Sequence, residues 1–360
     1  MEKERQLVHY NLLKILAIFM VVAVHMMQEV ELIPSGDWTV FCFHEVVRTV
    51  LLTSNGLFFM VSGRFLLDHY DGRMGRFYWK RFVKIGIPVM GASLFYYAYV
   101  YGRNGITLEF WKGFVSDFLQ SRIQGYFWFV YALAGFYLAV PFLARMFSAM
   151  GKGEKKALLG LSLAVFFLQN LYQIFGLEIV FTAYPFYSWI FYCIWGYLLD
   201  SLELTEREKK LVIWAGAAAF LVSAWETCFW ERENPALHNY SVTMILMTGG
   251  IYLAVTDYGK AAAGKLSGIV QFVAKRSFYL YLMHGIAQFM LSAKLKACGG
   301  IPLQGADVPF EEVDLWARWV WWLGLSAVSF MLALGIGCVV EAAYRPVAGW
   351  LLGAGRRKRG

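Results

Sequence analysis

Long apolar runs separated by short polar segments make up most of this chain of 360 residues. Ten of the runs approach about 20 residues, the length with which an α-helix crosses a hydrocarbon layer about 30 Å thick. They lie near residues 8–27, 43–67, 83–101, 126–147, 157–175, 184–200, 210–227, 239–257, 275–296 and 316–341. The pattern therefore predicts an all-α polytopic membrane helix bundle of about ten transmembrane helices, in a single domain over 1–360.

Composition and charge placement support this prediction. Hydrophobic residues make up 59% of the chain, whereas about half is typical of soluble domains. Most lysines and arginines fall in alternate inter-helix segments, for example 73–84, 152–156 and 356–359. Since cytoplasmic loops carry an excess of such residues, we expect both termini in the cytoplasm. The first apolar run lacks a small-residue cleavage site, so it is predicted to remain as the first span of a multi-pass plasma-membrane protein.

The net charge of +8 does not favour nucleic-acid binding, because the basic residues lie in short loops between apolar runs. The five cysteines show neither a CxxC pair nor a metal-type spacing with histidine, so no metal site is predicted. They are Cys42, Cys193, Cys228, Cys298 and Cys338. Cys228 and Cys298 fall in loops placed outside, and whether an outer disulfide forms there is left open.

Lys14 and His25 stand out in the first run. At about 100° per residue, eleven residues correspond to three turns plus about 20°, so both side chains lie on one helix face about 16 Å apart. An ionisable pair inside a spanning helix is costly unless it faces a polar cavity, which favours a functional role. The alternative is that Lys14 anchors the helix near the inner interface and His25 pairs with Glu29 one turn later.

Two neighbouring segments, 54–67 and 76–88, also carry candidate residues. Ser62 and Gly63 are small residues in an apolar helix, which allow either close helix packing or a functional role. Arg81 and Lys84 are three residues apart and therefore neighbours on one helix face. They satisfy the positive-inside rule, and they would equally suit the phosphates of a cytoplasmic anionic substrate.

Further polar residues lie in the second and ninth runs. His44, Glu45 and Arg48 have spacings of three and four residues, which favours an internal ion pair near the outer interface. His284 lies within the ninth run close to Tyr281. A histidine in such a bundle is more often an interhelical hydrogen-bond partner than a catalyst.

Taken together, these segments resemble the membrane-bound acyltransferase family 3 over nearly the whole chain. The matching positions are Lys14 and His25, then Phe58, Phe59, Ser62 and Gly63, then Arg81 and Lys84, then Tyr281, Leu282 and His284, and finally 341–346. The resemblance implies an O-acyltransferase that moves an acyl group, most commonly acetyl, from cytoplasmic acetyl-CoA or another acyl-CoA. The implied acceptor is a hydroxyl group, often on a cell-surface carbohydrate.

The resemblance also implies residue roles. His25 would act as the general base, or alternatively as a nucleophile that carries the acyl group. The residues implied to contact acyl-CoA are Lys14, Ser62, Arg81 and Lys84, and the further candidates are Glu45, Arg48, Tyr281 and His284. Many family members carry Asp and Arg where this chain has Asn11 and Lys14. At position 14 the positive charge is therefore kept, but the planar guanidinium is absent.

Two other classes of function remain open on the sequence. A transporter or exporter of a small polar solute would also use about ten spans and intramembrane charge, although the set of motifs counts against it. A membrane sensor or scaffold would not need His25 and Lys14 on one buried face. The acceptor could equally be peptidoglycan, an antibiotic or another small hydroxyl compound, and the oligomeric state is not indicated.

Overall fold

A computed structural model of the chain describes residues 8–30, 32, 38–175, 184–186, 188–229, 239–265, 267–298 and 314–357. The described residues form twelve α-helices. They are α1 (Val8–Glu29), α2 (Trp38–Asp68), α3 (Met74–Arg81), α4 (Ile87–Tyr101), α5 (Leu108–Leu119), α6 (Trp128–Ala149), α7 (Lys152–Ile174), α8 (Trp189–Ser201), α9 (Glu206–Phe229), α10 (Val242–Lys265), α11 (Ser267–Cys298) and α12 (Leu315–Arg357). A π-helix, Phe82–Gly86, joins α3 to α4.

The all-α prediction is confirmed, and each predicted apolar run coincides with a helix over most of its length. Within the described ranges, six segments are long and apolar enough to cross a membrane, and the count of ten spans stays a prediction. They are Val8–Glu29, Trp38–Asp68, Met74–Tyr101, Gly125–Ala149, Glu206–Phe229 and Trp316–Gly353. The helix α8 has only 13 residues, which span about 20 Å. The cytoplasmic placement of the termini stays a prediction.

The chain divides into two compact units. Unit 1 comprises Met1–Phe65 and Met150–Ile336, and unit 2 comprises Leu66–Ala149 and Gly337–Gly360. Two of the three boundaries fall inside α2 and α12, so each of these long helices contributes one part to each unit, and the third falls between α6 and α7.

In unit 1, α1 is a central element that packs against α10 and α11. Its residues Leu13, Ala17, Ile18, Val22 and Ala23 are fully buried. Such all-round burial is what a helix in a bundle core requires, and it explains why the run from which α1 forms is almost wholly apolar.

Small residues set a close crossing between α2 and α8 in unit 1. A Cβ atom at Gly63 would overlap the carbonyl oxygen of Cys193, and a Cβ atom at Gly196 would overlap the carbonyl oxygen of Met60. Each glycine therefore allows the facing backbone to approach, as is common in membrane bundles. The packing role considered for Gly63 is confirmed.

Unit 2 contains the π-helix and the elements around it. The Tyr344 hydroxyl, on α12, donates to the Val83 carbonyl at 2.6 Å, and the Trp79 indole donates to the Leu351 carbonyl at 3.4 Å. The end of α12 is thus tied to the junction of α3 and α4 within this unit. Single-turn π-helices inside α-helices occur frequently at functional sites.

Candidate active site

The structure brings His25 and His284 together in unit 1. Their ring centroids are 5.3 Å apart and the ring planes make an angle of 34°. His25 is half-buried on α1, and His284 is fully buried on α11. We call these two residues the histidine pair. Both residues were candidates from the sequence, but nothing in the sequence predicted that their rings lie close together.

The orientation of His284 is set within its own helix. Its Nδ1 atom lies at hydrogen-bonding distance from the carbonyl oxygen of Tyr281, and the Tyr281 ring centroid is 5.6 Å from that of His284. Because a carbonyl oxygen only accepts, Nδ1 carries the proton and donates it. In the neutral imidazole, Nε2 is then the acceptor nitrogen.

The turn of α1 that carries His25 is fixed by two buried side chains from other helices. The Gln288 amide, one turn after His284 on α11, donates to the Val22 carbonyl at 2.9 Å. The Trp322 indole on α12 donates to the Ala23 carbonyl at 2.9 Å. A carbonyl has two lone pairs and so accepts such a bond beside its helical one. Sequence reasoning missed both residues; for Gln288 the spacing of four from His284 was an available signal.

Lys14 is half-buried in unit 1, and its ammonium group lies against an aromatic ring. Its Nζ atom is 5.3 Å from the ring centroid of Phe65, within the range of a cation–π interaction. Tyr10, one turn earlier on α1, makes an edge contact with the same ring at 5.1 Å. The contact of the Lys14 ammonium group with the Phe65 ring involves no carboxylate.

Beside Lys14 lies a network around the half-buried carboxylate of Asp200, the last residue but one of α8. Its Oδ2 atom accepts hydrogen bonds from the hydroxyls of Tyr10 and Tyr252, both at 2.8 Å, and pairs with Arg64 Nε at 2.8 Å. We call these four residues the Asp200 cluster. It joins α1, α2, α8 and α10. Several donors and a cation offset the cost of desolvating a carboxylate. The sequence did not single out Asp200.

Ser62 is half-buried on α2. It precedes Phe65, the ring under Lys14, by three residues, so the two side chains share a helix face. Ser62 therefore lies about one turn before the ring that Lys14 contacts.

The polar residues at the start of α2 bind one another. The Glu45 carboxylate accepts a hydrogen bond from Arg48 Nη1 at 3.0 Å, and His44 Nδ1 lies 2.8 Å from its other oxygen. The Thr49 hydroxyl donates to the Glu45 backbone carbonyl at 2.8 Å. The internal ion pair that the spacing indicated is present, which favours a structural role for Glu45 and Arg48.

Arg81 and Lys84 lie in unit 2, at the end of α3 and in the π-helix. The Arg81 guanidinium is 5.3 Å from the Phe77 ring centroid and 5.4 Å from that of Tyr137. Its Nε atom is buried and has no hydrogen-bond partner among the described residues. Lys84 is exposed. The sequence predicted two neighbouring cations here, and it did not indicate the π-helix.

A cavity of about 440 Å³ adjoins Arg81 in unit 2, a size typical of small-molecule pockets. Aliphatic and aromatic side chains form most of its wall. Two tyrosine hydroxyls in it donate to the backbone: Tyr78 to the Leu138 carbonyl at 2.9 Å and Tyr131 to the Phe118 carbonyl. Arg81 is the charged residue of this wall. The cavity therefore suits a ligand with an apolar body and an anionic group.

These regions have distinct chemical capacities. The histidine pair can accept and pass on a proton, while Lys14 and Arg81 offer positive charge to an anionic ligand. Among the described residues, no three His, Cys, Asp or Glu side chains are placed to hold a metal ion.

Comparison with known proteins identifies the family. A family model described as an acyltransferase domain matches residues 8–338, a range that includes the histidine pair, Lys14 and Arg81. Searches of curated proteins and of solved structures returned no match. The matched range covers almost the whole chain, and the described residues include six segments of membrane-spanning length and hydropathy. The chain belongs to the acyltransferase family 3 and is a membrane acyltransferase.

Proposed function

We propose that this protein is a plasma-membrane O-acyltransferase that moves an acetyl group from cytoplasmic acetyl-CoA to a hydroxyl group of a cell-surface carbohydrate. The observation that carries the proposal is the histidine pair, which lies inside a membrane helix bundle of an acyltransferase family. A proton acceptor held in a partly dry site is what hydroxyl activation requires.

In the proposed reaction His25 is the general base. The acceptor oxygen attacks the thioester carbonyl while its proton passes to His25. The tetrahedral intermediate then collapses, the C–S bond breaks, and the imidazolium returns the proton to the leaving CoA sulfur. The products are an ester and free CoA. General base catalysis of this kind contributes about 10²–10⁴ in rate.

His284 is proposed as the residue that positions His25. Its Nδ1 proton is held by the Tyr281 carbonyl, which fixes the ring and makes Nε2 its acceptor nitrogen. The second route, in which His25 itself carries the acyl group, uses the same residues and differs by a covalent intermediate. Ping-pong kinetics or a trapped acyl-protein would distinguish that route.

For the donor, we propose that Arg81 and Lys84 bind phosphate groups of acyl-CoA, and that Lys14 and Ser62 also contact this substrate. The buried Nε atom of Arg81, without a partner among the described residues, supports this role because a guanidinium binds phosphate through several donors. Lys14 contacts the aromatic ring of Phe65. This contact does not neutralise its positive charge, which supports a role in binding an anionic substrate.

The test is acetyl-CoA binding to the purified protein in detergent, measured by calorimetry, together with turnover. We expect Arg81→Ala to abolish binding, and His25→Ala to keep binding but lose turnover. Lys80→Ala is the matched control, because Lys80 is an exposed cation beside Arg81, and it should bind as the wild type does.

Two outcomes of this test would contradict parts of the proposal. If neither the wild-type protein nor any variant binds or turns over acyl-CoA, the donor assignment is wrong, and a transporter of a small polar solute becomes the better proposal. If binding is normal but carbohydrate hydroxyls are not acylated while another hydroxyl compound is, only the acceptor class changes.

A further inference from the structure

Two cysteines from distant parts of the chain meet in unit 1. Cys42 is buried in the second turn of α2, and Cys228 is half-buried in the last turn of α9. Their side chains lie close enough to interact, and both thiols are free. The sequence had placed Cys228 with Cys298 in outer loops; the side chain of Cys298 lies outside the described residues.

Neighbouring contacts hold the two helix ends in this register. The indole of Trp38, one turn before Cys42, donates to the backbone carbonyl of Cys228 at 3.2 Å. The Trp38 ring also packs edge-on against Phe229, with centroids 5.4 Å apart. Since residues four apart lie on one helix face, the thiol contact and the tryptophan contacts form one continuous surface between α2 and α9.

We propose that Cys42 and Cys228 are a disulfide-forming pair that links α2 to α9. A disulfide requires the two side chains to face one another at close range without backbone movement, and the contacts around Trp38 supply that arrangement. The charge distribution of the sequence places this end of both helices outside, in an environment where disulfides persist. This inference does not rest on the acyl-transfer proposal.

Exposure sets the order of the chemical steps. An oxidised dithiol protein or oxidised glutathione, the external disulfide, is attacked first by the thiolate of the more exposed Cys228. This step forms a mixed disulfide and releases one thiol. The Cys42 thiolate then attacks the Cys228 sulfur and releases the second thiol. Two protons and two electrons leave the cysteine pair and are carried by the two released thiols.

The link would fasten the end of α2 that carries His44, Glu45 and Arg48. These residues form their ion pair within two turns after Cys42. The disulfide would therefore hold this polar group in place against α9 independently of the side-chain contacts of Trp38.

Differential thiol labelling tests the proposal. Membranes containing the full chain are dissolved in denaturant with a first maleimide, reduced, and treated with a second maleimide of different mass before peptide mass spectrometry. We expect Cys42 and Cys228 to carry the second label, and Cys338 to carry the first. Denaturant removes burial as an explanation for protection. Without reduction, a peptide joining Cys42 to Cys228 should be lighter than its parts by two hydrogen atoms.

Two variants serve as controls. In Cys228→Ser, Cys42 should change from the second label to the first, whereas Cys338→Ser should leave the labelling of Cys42 and Cys228 unchanged. The proposal is overturned if Cys42 and Cys228 both take the first label in wild-type membranes. It is equally overturned if the linked peptide joins Cys228 to Cys298.

Discussion

The two ends of α1 present different solutions to placing polar groups in an apolar helix. Near its end, His25 meets His284, and the backbone around it is held by Gln288 and Trp322. Near its start, Lys14 lies on the ring of Phe65, and Tyr10 links this ring to the half-buried carboxylate of Asp200. Both histidines can be neutral, so the first arrangement needs no counter-charge. The second contains the cations of Lys14 and Arg64 and the carboxylate of Asp200, so its stability depends on how these charges compensate one another.

This difference separates chemistry from stability. Neutral imidazoles cost little to bury when a carbonyl takes the N–H, so the histidine pair can be changed without breaking an ion pair. Removing one partner from a buried ion pair leaves the other charge uncompensated, which is strongly destabilising. We therefore expect substitutions at the His25 end to act on rate, and substitutions in the Asp200 cluster to act on folding.

The largest expected effect is that of His25→Ala. If His25 is the general base, as proposed, its loss should lower acyl transfer by about 10²–10⁴, with normal expression and an unchanged thermal unfolding midpoint. Turnover of acetyl-CoA by the purified variant measures the effect. Met290→Leu, at an exposed position of α11, is the control. Wild-type turnover in His25→Ala would remove the chemical role from this end of the helix.

Asp200→Ala should have the largest effect on stability. It leaves Arg64 without its carboxylate and two tyrosine hydroxyls without their acceptor, a loss of about 3–5 kcal/mol for a buried pair. Both side chains keep some exposure, 18% for Asp200 and 25% for Arg64, so the lower end of that range is expected. Thermal unfolding in detergent and membrane yield measure it.

The matched variant is Asp257→Ala, because Asp257 pairs with Lys209 at 3.3 Å without tyrosine donors. It should cost clearly less. Equal losses of stability in the two variants would show that the Asp200 cluster contributes no more than an ordinary ion pair. The proposed contrast between the two ends of α1 would then be wrong.

A smaller effect is expected when the His25 turn loses one of its supports. Gln288→Leu removes the hydrogen bond to the Val22 carbonyl, worth about 0.5–1.5 kcal/mol. If that bond positions His25, kcat should fall while KM for acetyl-CoA is unchanged. A purely structural bond would lower the unfolding midpoint and leave kcat per folded molecule as it was. Steady-state kinetics on protein matched for folded content decides between these outcomes.

The sequence predicted what local periodicity can reveal. The apolar runs indicated the helices, and the spacing of Lys14 and His25 indicated two polar positions on α1. Which residues meet across helices depends on packing, so the contact of His25 with His284 and that of Lys14 with Phe65 could not be predicted from spacing. The contact of Cys228 with Cys42 was not predicted for the same reason. The π-helix after Arg81 also left no periodic signal, because it interrupts the helix for only five residues.

The smallest expected effect sharpens the comparison at the Lys14 end. Lys14→Arg keeps the positive charge and offers a planar group that stacks on Phe65 as well as binding phosphate through more than one donor. If Lys14 contacts acyl-CoA, the variant should bind it at least as well as the wild type, with KM changed by no more than a few-fold, whereas Lys14→Met should raise KM and leave kcat similar. If both variants instead keep the wild-type KM, Lys14 is an interfacial anchor on an aromatic ring, and the charge that the substrate requires comes from other residues.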